Sequence, residues 1–204
     1  MRTIVLAPIL LLAVACATAA RPERHILYLH GRIVQEQQSA RPQHPEHGFY
    51  ELDAIRAAFR DRGFTLHSEI RPKGSSVSDG ADRAVARVRE LLDAGVPADR
   101  ITVVGASMGA AIALHTSARL QNPNVRFVLL GPCLSRNFPA VAKEEGKPPM
   151  GRILVIRDTS DVPECPPFDG RASEVVINTG LGHGYLYRPL SEWIEPAVAW
   201  ALSD

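Results

Sequence analysis

The chain has 204 residues, of which 46% are hydrophobic and 22% charged, and these values argue against a disordered, collagen-like or coiled-coil protein. Its 23 Lys and Arg residues nearly balance its 22 Asp and Glu residues, and only 6% of the residues are aromatic. Without an excess of positive charge or a run of basic residues, a nucleic-acid-binding surface is not expected.

Residues 1–20 have the pattern of a secretory leader. A twelve-residue apolar stretch from Ile4 to Ala15 follows one positive charge, and Ala17-Thr18-Ala19 is a small-x-small cleavage pattern. The stretch is too short for a membrane-spanning helix, which needs about 20 apolar residues. The alternative is lipid attachment at Cys16. We therefore expect a signal peptide at 1–20, one domain at 21–204, no membrane span, and a secreted or periplasmic location.

Strands and helices alternate along the rest of the chain. The first predicted strand is a compact apolar run that stops at Gly31, as in a parallel strand that is buried on both faces. This alternation predicts an α/β fold with about six mostly parallel strands flanked by helices on both faces. The predicted strands are 26–30, 64–70, 101–104, 125–130, 152–157 and 174–177.

Helical spacing of apolar residues predicts four helices between these strands. They run from Leu52 to about Gly63, from an N-cap at Ser78 to about Gly95, from Met108 to Leu120, and from about Pro189 to Leu202. Pro196 is expected to kink or restart the last helix. Residues 33–50 are polar and rich in turn-forming residues, so we predict a long loop there.

Gly105-x-Ser107-x-Gly109 joins a predicted buried strand to a predicted helix. This is the position of a nucleophile elbow, a sharp turn that lifts the serine hydroxyl off the sheet. Both glycines are needed because a Cβ there would collide with the neighbouring strand and helix. Without catalytic partners, the same pattern is an ordinary glycine-rich turn.

A serine becomes a useful nucleophile when a histidine takes its proton and a carboxylate orients that histidine. Asp158 and Asp161 follow the fifth predicted strand, Asp169 lies further on, and His183 follows the sixth strand between two glycines. All come after strand ends at the same edge of a parallel sheet as Ser107. The residue types and their order fit a Ser-Asp-His triad, with the acid left open among three aspartates.

Three segments resemble those of small members of the α/β-hydrolase superfamily. Residues 96–110 resemble the superfamily's helix-strand-elbow segment, residues 154–163 its acid-bearing loop, and Gly182-His183-Gly184 its histidine loop. The resemblance implies Asp161 as the triad acid, because the acid usually stands just before a Val-Pro-type segment. Asp158 is then a strand-end carboxylate, and Ser107, Asp161 and His183 are the catalytic residues.

An oxyanion hole requires two backbone N–H groups. The N–H of Met108 directly follows the nucleophile at a helix N-terminus, where the helix dipole favours negative charge. The resemblance of His30-Gly31-Arg32 to the superfamily's His-Gly-x stretch implies the N–H of Arg32 as the second donor. For His30 itself we favour a structural role.

The chain departs from larger superfamily members in two respects. The usual first two antiparallel strands are not predicted, and residues 131–151, where a cap domain is often inserted, form a segment of only 21 residues. We therefore expect a site without a lid, or one covered only by the loop at 33–50. This argues against a lipase activated at an interface.

Several other residues have simpler interpretations. His44 and His47 have a spacing found in metal sites, but they are interpreted as residues of a solvated loop. A disulfide between Cys133 and Cys165 and two separate thiols are both compatible with the sequence. No metal or organic cofactor is implied.

The sequence predicts a serine hydrolase that acts on a small-molecule acyl substrate, with a carboxylic ester as the expected bond. A thioesterase or a serine peptidase would use the same triad. A non-catalytic binding protein on the same fold is the alternative from another class, because a fold alone does not establish activity.

Overall fold

The structure is a computed structural model that describes residues 23–132, 138–161 and 171–203. The predicted signal peptide with Cys16, the pair Cys133 and Cys165, and Asp169 lie outside the described residues.

A six-stranded sheet forms the centre of the molecule. Every neighbouring pair in this sheet is parallel, and the strand order is β4-β1-β5-β6-β7-β8. A separate two-stranded antiparallel hairpin consists of β2 and β3. The strands are β1 (His25–Leu29), β2 (Gln43–His44), β3 (Gly48–Phe49), β4 (Thr65–His67), β5 (Ile101–Ala106), β6 (Arg126–Leu130), β7 (Arg152–Asp158) and β8 (Ser173–Ile177).

Helices cover both faces of the sheet. The helices are α1 (Arg32–Gln37), α2 (Leu52–Arg60), α3 (Val77–Asp93), α4 (Met108–Leu120), α5 (Phe138–Glu145) and α6 (Ser191–Leu202). Two short 3₁₀ helices occupy Ala98–Arg100 and Gly182–Tyr187. The apolar residues of α3, α4 and α5 form one core with one face of the sheet, and those of α2 and α6 form a second core on the other face. The central strands β1, β5, β6 and β7 are largely apolar on both sides because both of their faces are buried.

The α/β fold with six parallel strands and helices on both faces confirms the prediction from the sequence. The six predicted strands agree with the observed ones to within a few residues, the second being the largest exception because β4 is only three residues long. All of them enter the sheet in parallel, so the carboxyl ends of β1, β5, β7 and β8 meet at one edge.

Two local predictions were wrong. The N-cap of α3 is Ser76, not Ser78: the Ser76 hydroxyl accepts the Asp79 N–H while the Asp79 carboxylate accepts the Ser76 N–H, a capping box. Residues 33–50 contain most of α1 and the β2–β3 hairpin rather than a long loop. Of the two alternatives predicted for Pro196, a kink or a restart of the last helix, the restart does not occur, because α6 is continuous through this residue.

Among the residues that the structure describes, no helix combines the length and apolar character needed to cross a bilayer.

Candidate active site

Ser107 lies in a strained turn between β5 and α4. Its backbone has φ 54° and ψ −115°, a combination that an L-residue adopts only when its surroundings enforce it. A Cβ on Gly105 would lie 2.7 Å from the backbone nitrogen of Ala110, and a Cβ on Gly109 would lie 2.6 Å from the carbonyl carbon of Leu29. Strand and helix therefore approach so closely at this turn that only glycine fits on either side of the serine.

Ser107, His183 and Asp161 form one hydrogen-bonded chain. Nε2 of His183 lies 2.9 Å from Oγ of Ser107, and Nδ1 of His183 lies 2.7 Å from Oδ2 of Asp161. The Asp161 side chain is 7% exposed and the His183 side chain 18% exposed. The geometry suits a histidine that donates from Nδ1 to a carboxylate and accepts the serine proton at Nε2.

The carboxylate of Asp158, the competing aspartate, bonds to Ser160 and Thr179 instead of His183. Its side chain is buried and accepts hydrogen bonds from the N–H and hydroxyl of Ser160 at 2.8 and 2.7 Å. It also accepts the N–H of Thr179 at 3.0 Å and the Thr179 hydroxyl. Burial alone would raise the pKa of Asp158, but these donors outweigh it and lower the pKa below the usual value.

Both residues named for the oxyanion hole begin a helix beside Ser107. Arg32 is the first residue of α1, and Met108 is the first residue of α4. The first N–H groups of a helix have no acceptor within that helix, and they lie at its positive end. Gly31 packs between Ser107 and Tyr50, since a Cβ built on Gly31 would meet both side chains at 3.8 Å.

A buried polar network holds the loop that leads to Arg32. Arg71 donates from Nη2 to the carbonyl of His30 at 2.7 Å and from Nε to Oε1 of Gln35 at 3.0 Å. Its backbone N–H donates to Nε2 of His30 at 3.2 Å. Burial, followed by the charge of Arg71, lowers the pKa of His30 to about 3. His30 is therefore neutral and fixed in place, and Arg71 is itself buried.

A cavity of about 390 Å³ opens above Ser107 and His183. Apolar and aromatic side chains make up much of its wall, with Arg32 and Glu36 as charged groups. The wall includes Ile33, Tyr50, Leu186 and Tyr187. A pocket of this size and character suits a small organic molecule.

Sequence reasoning missed Tyr50 and Tyr187. Their ring centroids lie 5.0 Å apart, and the Tyr50 hydroxyl lies 2.6 Å from that of Tyr28. Burial raises the pKa of Tyr50 to about 12, so its hydroxyl stays protonated at neutral pH. A signal was available, because aromatic residues are rare in this chain and Tyr187 follows His183 by only four residues.

Comparison with known proteins gives structural similarity only. No protein-family model matches this sequence. No curated protein sequence matches it either. A protein assigned as a dienelactone hydrolase from Klebsiella pneumoniae has a TM-score of 0.58 at 12% identity, over 92% of this chain and 90% of that one.

Two further solved structures are similar over most of this chain. A protein assigned as an esterase from Staphylococcus aureus has a TM-score of 0.59 at 15% identity, over 88% of this chain and 75% of that one. A protein assigned to the α/β hydrolase superfamily from Xanthomonas campestris has a TM-score of 0.52 at 17% identity, over 87% of this chain and 95% of that one. The sheet, the elbow and these similarities agree, and the chain has the α/β-hydrolase fold.

Proposed function

We propose that this protein is a serine hydrolase that cleaves carboxylic esters through an acyl-enzyme. One observation carries the proposal: the hydrogen-bonded chain from Ser107 through His183 to Asp161, which starts at a strained elbow. A module that only binds a ligand would not need a backbone held at a positive φ to present a hydroxyl to a histidine.

In the proposed reaction, Oγ of Ser107 attacks the ester carbonyl carbon while Nε2 of His183 takes the hydroxyl proton. The carboxylate of Asp161 stabilises the imidazolium that forms. His183 then gives its proton to the departing alcohol, and the acyl group stays on Ser107. Water, deprotonated by His183, attacks the acyl-enzyme, releasing the carboxylic acid and restoring the serine.

The N–H groups of Met108 and Arg32 are proposed as the oxyanion hole. Each begins a helix next to Ser107, so the negative charge on the tetrahedral intermediate would meet two helix N-termini. The loss of one such donor typically reduces turnover by a factor of about 10²–10³.

The cavity favours a small ester as substrate. The cavity volume of about 390 Å³ accommodates a compact acyl or alcohol group. The assignments of the similar structures as an esterase and a dienelactone hydrolase support hydrolysis as the reaction class. A thioester or an activated amide could react with the same groups, so the assay must compare them.

The proposal is tested by labelling the purified protein with a fluorophosphonate and locating the modified peptide by mass spectrometry. We expect label on Ser107, none on Ser107→Ala, and hydrolysis of short p-nitrophenyl esters faster than of thioesters or peptide anilides. Asp161→Asn should lower kcat by about 10⁴ with the fold retained, since the histidine then holds the wrong tautomer.

Absence of labelling on a well-folded sample, together with binding of esters without turnover, would favour the non-catalytic binding protein. Faster cleavage of peptide anilides would favour a peptidase on the same scaffold. Either result overturns the assignment as an esterase.

We also propose that the chain is exported, with residues 1–20 as its signal peptide. The argument is the apolar stretch from Ile4 to Ala15 and the small residues after it. N-terminal sequencing of protein recovered outside the cytoplasm should find a start near residue 20 or 21. A lipid-modified Cys16 at the new N-terminus would instead identify a lipoprotein.

A further inference from the structure

The β2–β3 hairpin carries three potential metal ligands within four residues. His44, Glu46 and His47 each offer one donor atom, and these atoms lie within 4.8 Å of one another. The pairing of Gln43 with Phe49 and of His44 with Gly48 holds the two ends of the hairpin together. Both histidines were expected to be solvated loop residues, but the structure brings them together beside the candidate active site.

The two imidazole rings are stacked and supported from one side. Their centroids lie 4.6 Å apart with an angle of 13° between the ring planes. The buried Tyr187 packs edge-on against both, with centroid distances of 6.2 Å to His44 and 5.4 Å to His47. This packing keeps the two imidazoles side by side.

The hairpin is also adjacent to the proposed catalytic base. The ring centroid of His47 lies 6.4 Å from that of His183, and His44 lines the same cavity as Ser107.

We propose that His44, Glu46 and His47 bind one divalent transition-metal ion, such as Zn²⁺, at the mouth of the active-site cavity. Two imidazoles and a carboxylate are a donor set that Zn²⁺ uses in proteins, and it also suits Cu²⁺ and Ni²⁺. Water would complete the coordination.

Binding requires the two imidazoles to turn out of their stack, because nitrogen lone pairs lie in the ring planes and those of parallel rings do not converge on one point. Zinc–nitrogen bonds of about 2.0–2.1 Å in a tetrahedron place ligand atoms about 3.4 Å apart, so donors that now lie within 4.8 Å of one another must close by up to about 1.4 Å. Glu46 is exposed and the two histidines are half-buried, which leaves them room to rotate. Coordination through Nδ1 of His44 would replace one long hydrogen bond of 3.2 Å from the N–H of Glu46.

The effect on hydrolysis rests on the function proposed above. The catalytic step makes His183 positively charged. A dication bound to His47, whose ring centroid lies 6.4 Å from that of His183, opposes that charge through partly solvated surroundings. We expect saturating Zn²⁺ to lower kcat/KM about tenfold. Removal of the ion with EDTA should restore activity, because the triad itself does not require the metal.

Metal binding is tested first, without reference to activity. The tag-free Ser107→Ala protein is titrated against a zinc-chelating dye, and we expect one tight site per chain. The double variant His44→Asn, His47→Asn in the same background should bind at least thirtyfold more weakly. His67→Asn is the matched control, because His67 stacks on His25 with centroids 5.4 Å apart, in a pair that belongs to β1 and β4 instead of the hairpin. It should bind zinc like the parent.

Three results would overturn the site: no zinc binding below about 100 μM, unchanged binding in the double variant, or equal weakening in His67→Asn. The coupling is tested with the active protein and a short p-nitrophenyl ester. Glu46→Gln should raise the zinc concentration for half-inhibition about tenfold. Zinc bound at full occupancy without loss of hydrolysis would overturn the coupling to His183, whereas failure of all hydrolysis would overturn the proposed function and leave the binding result standing.

Discussion

Thr179 donates both its backbone N–H, at 3.0 Å, and its hydroxyl to one oxygen of the Asp158 carboxylate. The other oxygen accepts the N–H and hydroxyl of Ser160, and Oγ of Ser160 in turn accepts the N–H of Gly182 at 3.0 Å. Asp158 thus joins the segment that leads to Asp161 to the segment that leads to His183. The two aspartates are three residues apart, yet one contacts the histidine and the other fastens the two loops together.

The substitution Asp158→Asn is expected to loosen both loops. The N–H₂ group of an asparagine would face the N–H and hydroxyl of either Ser160 or Thr179, and those buried donors would lose their acceptor. The free energy of unfolding should therefore fall by about 2–3 kcal/mol. Ester hydrolysis should fall about tenfold or more, because a small displacement of the catalytic groups costs rate. Urea denaturation and ester kinetics measure the two effects.

Asp161→Asn is the matched control for this substitution. It should retain most of the stability while losing far more activity. Equal stability losses in the two variants would contradict the fastening role of Asp158.

Two replacements of Ser107 separate backbone strain from chemistry. Both Ser107→Ala and Ser107→Gly remove the hydroxyl, but only glycine adopts φ 54°, ψ −115° without steric cost. We expect the free energy of unfolding of Ser107→Gly to exceed that of Ser107→Ala by about 1 kcal/mol. This value includes the extra conformational entropy of glycine in the unfolded chain. Thermal denaturation of the pair at one pH measures this difference, and an alanine variant as stable as the glycine variant would show that the turn is not strained.

Gly109→Ala should be among the most destabilising single-methyl additions in this protein. The added Cβ would lie 2.6 Å from the carbonyl carbon of Leu29. The atoms that it would meet belong to the backbone and cannot rotate away, so we expect a loss of about 3 kcal/mol or more. Gly63→Ala is a useful comparison, because Gly63 has φ 83° but nothing within 4 Å of a built Cβ. It should cost about 1 kcal/mol from the backbone conformation alone.

The charge of Glu145 makes the free energy of unfolding depend on pH in the acid range. Hydrogen bonds from Arg119 lower the pKa of Glu145 from 4.5 to about 2, with a further contribution from His115 and partial opposition from burial. Because the folded pKa is lower than the unfolded one, the stabilisation is complete above pH 4.5 and is lost as the pH falls towards 2. Its size should be about 2 kcal/mol, allowing for screening by solvent.

Urea denaturation of Glu145→Gln tests this dependence. The variant should be less stable than the parent at pH 7, and the difference between their free energies of unfolding should be smaller at about pH 3. Glu144→Gln is the control, since its side chain is 42% exposed and lies 3.7 Å from His115. A gap that stays constant between the two pH values would contradict the proposed role of the Glu145 charge.

The predicted strands and the elbow were accessible from local patterns. A continuous apolar run such as Ile26 to Leu29 indicates burial on both faces, and that burial requires a parallel sheet that is covered on both sides. Gly105 and Gly109 each stand two residues from Ser107. This pattern by itself indicates that the backbones of the strand and the helix approach closely at the turn. The positions of helix ends were less accessible: Ser76 and Ser78 are both good N-caps, and only the reciprocal bonds with Asp79 distinguish them.

The residues around the site depended on contacts between distant segments. Tyr50, in the connection before α2, meets Tyr187 across 137 positions of sequence, and Arg71 donates to the carbonyl of His30 across 41 positions. Local periodicity carries no information about such pairs, because their distance is set by how loops converge at one sheet edge.

The sequence by itself determined the class of fold, the turn that presents Ser107, and the order in which an acid and a histidine follow it. Tertiary structure decided between the aspartates that the residue pattern left open: Asp161 lies against His183 while Asp158 holds Thr179. It also decided that the β2–β3 hairpin lies beside the cavity. The reason is physical: burial and backbone conformation are encoded by neighbouring residues, whereas hydrogen-bond geometry of about 3 Å exists only after the sheet has brought its loops together.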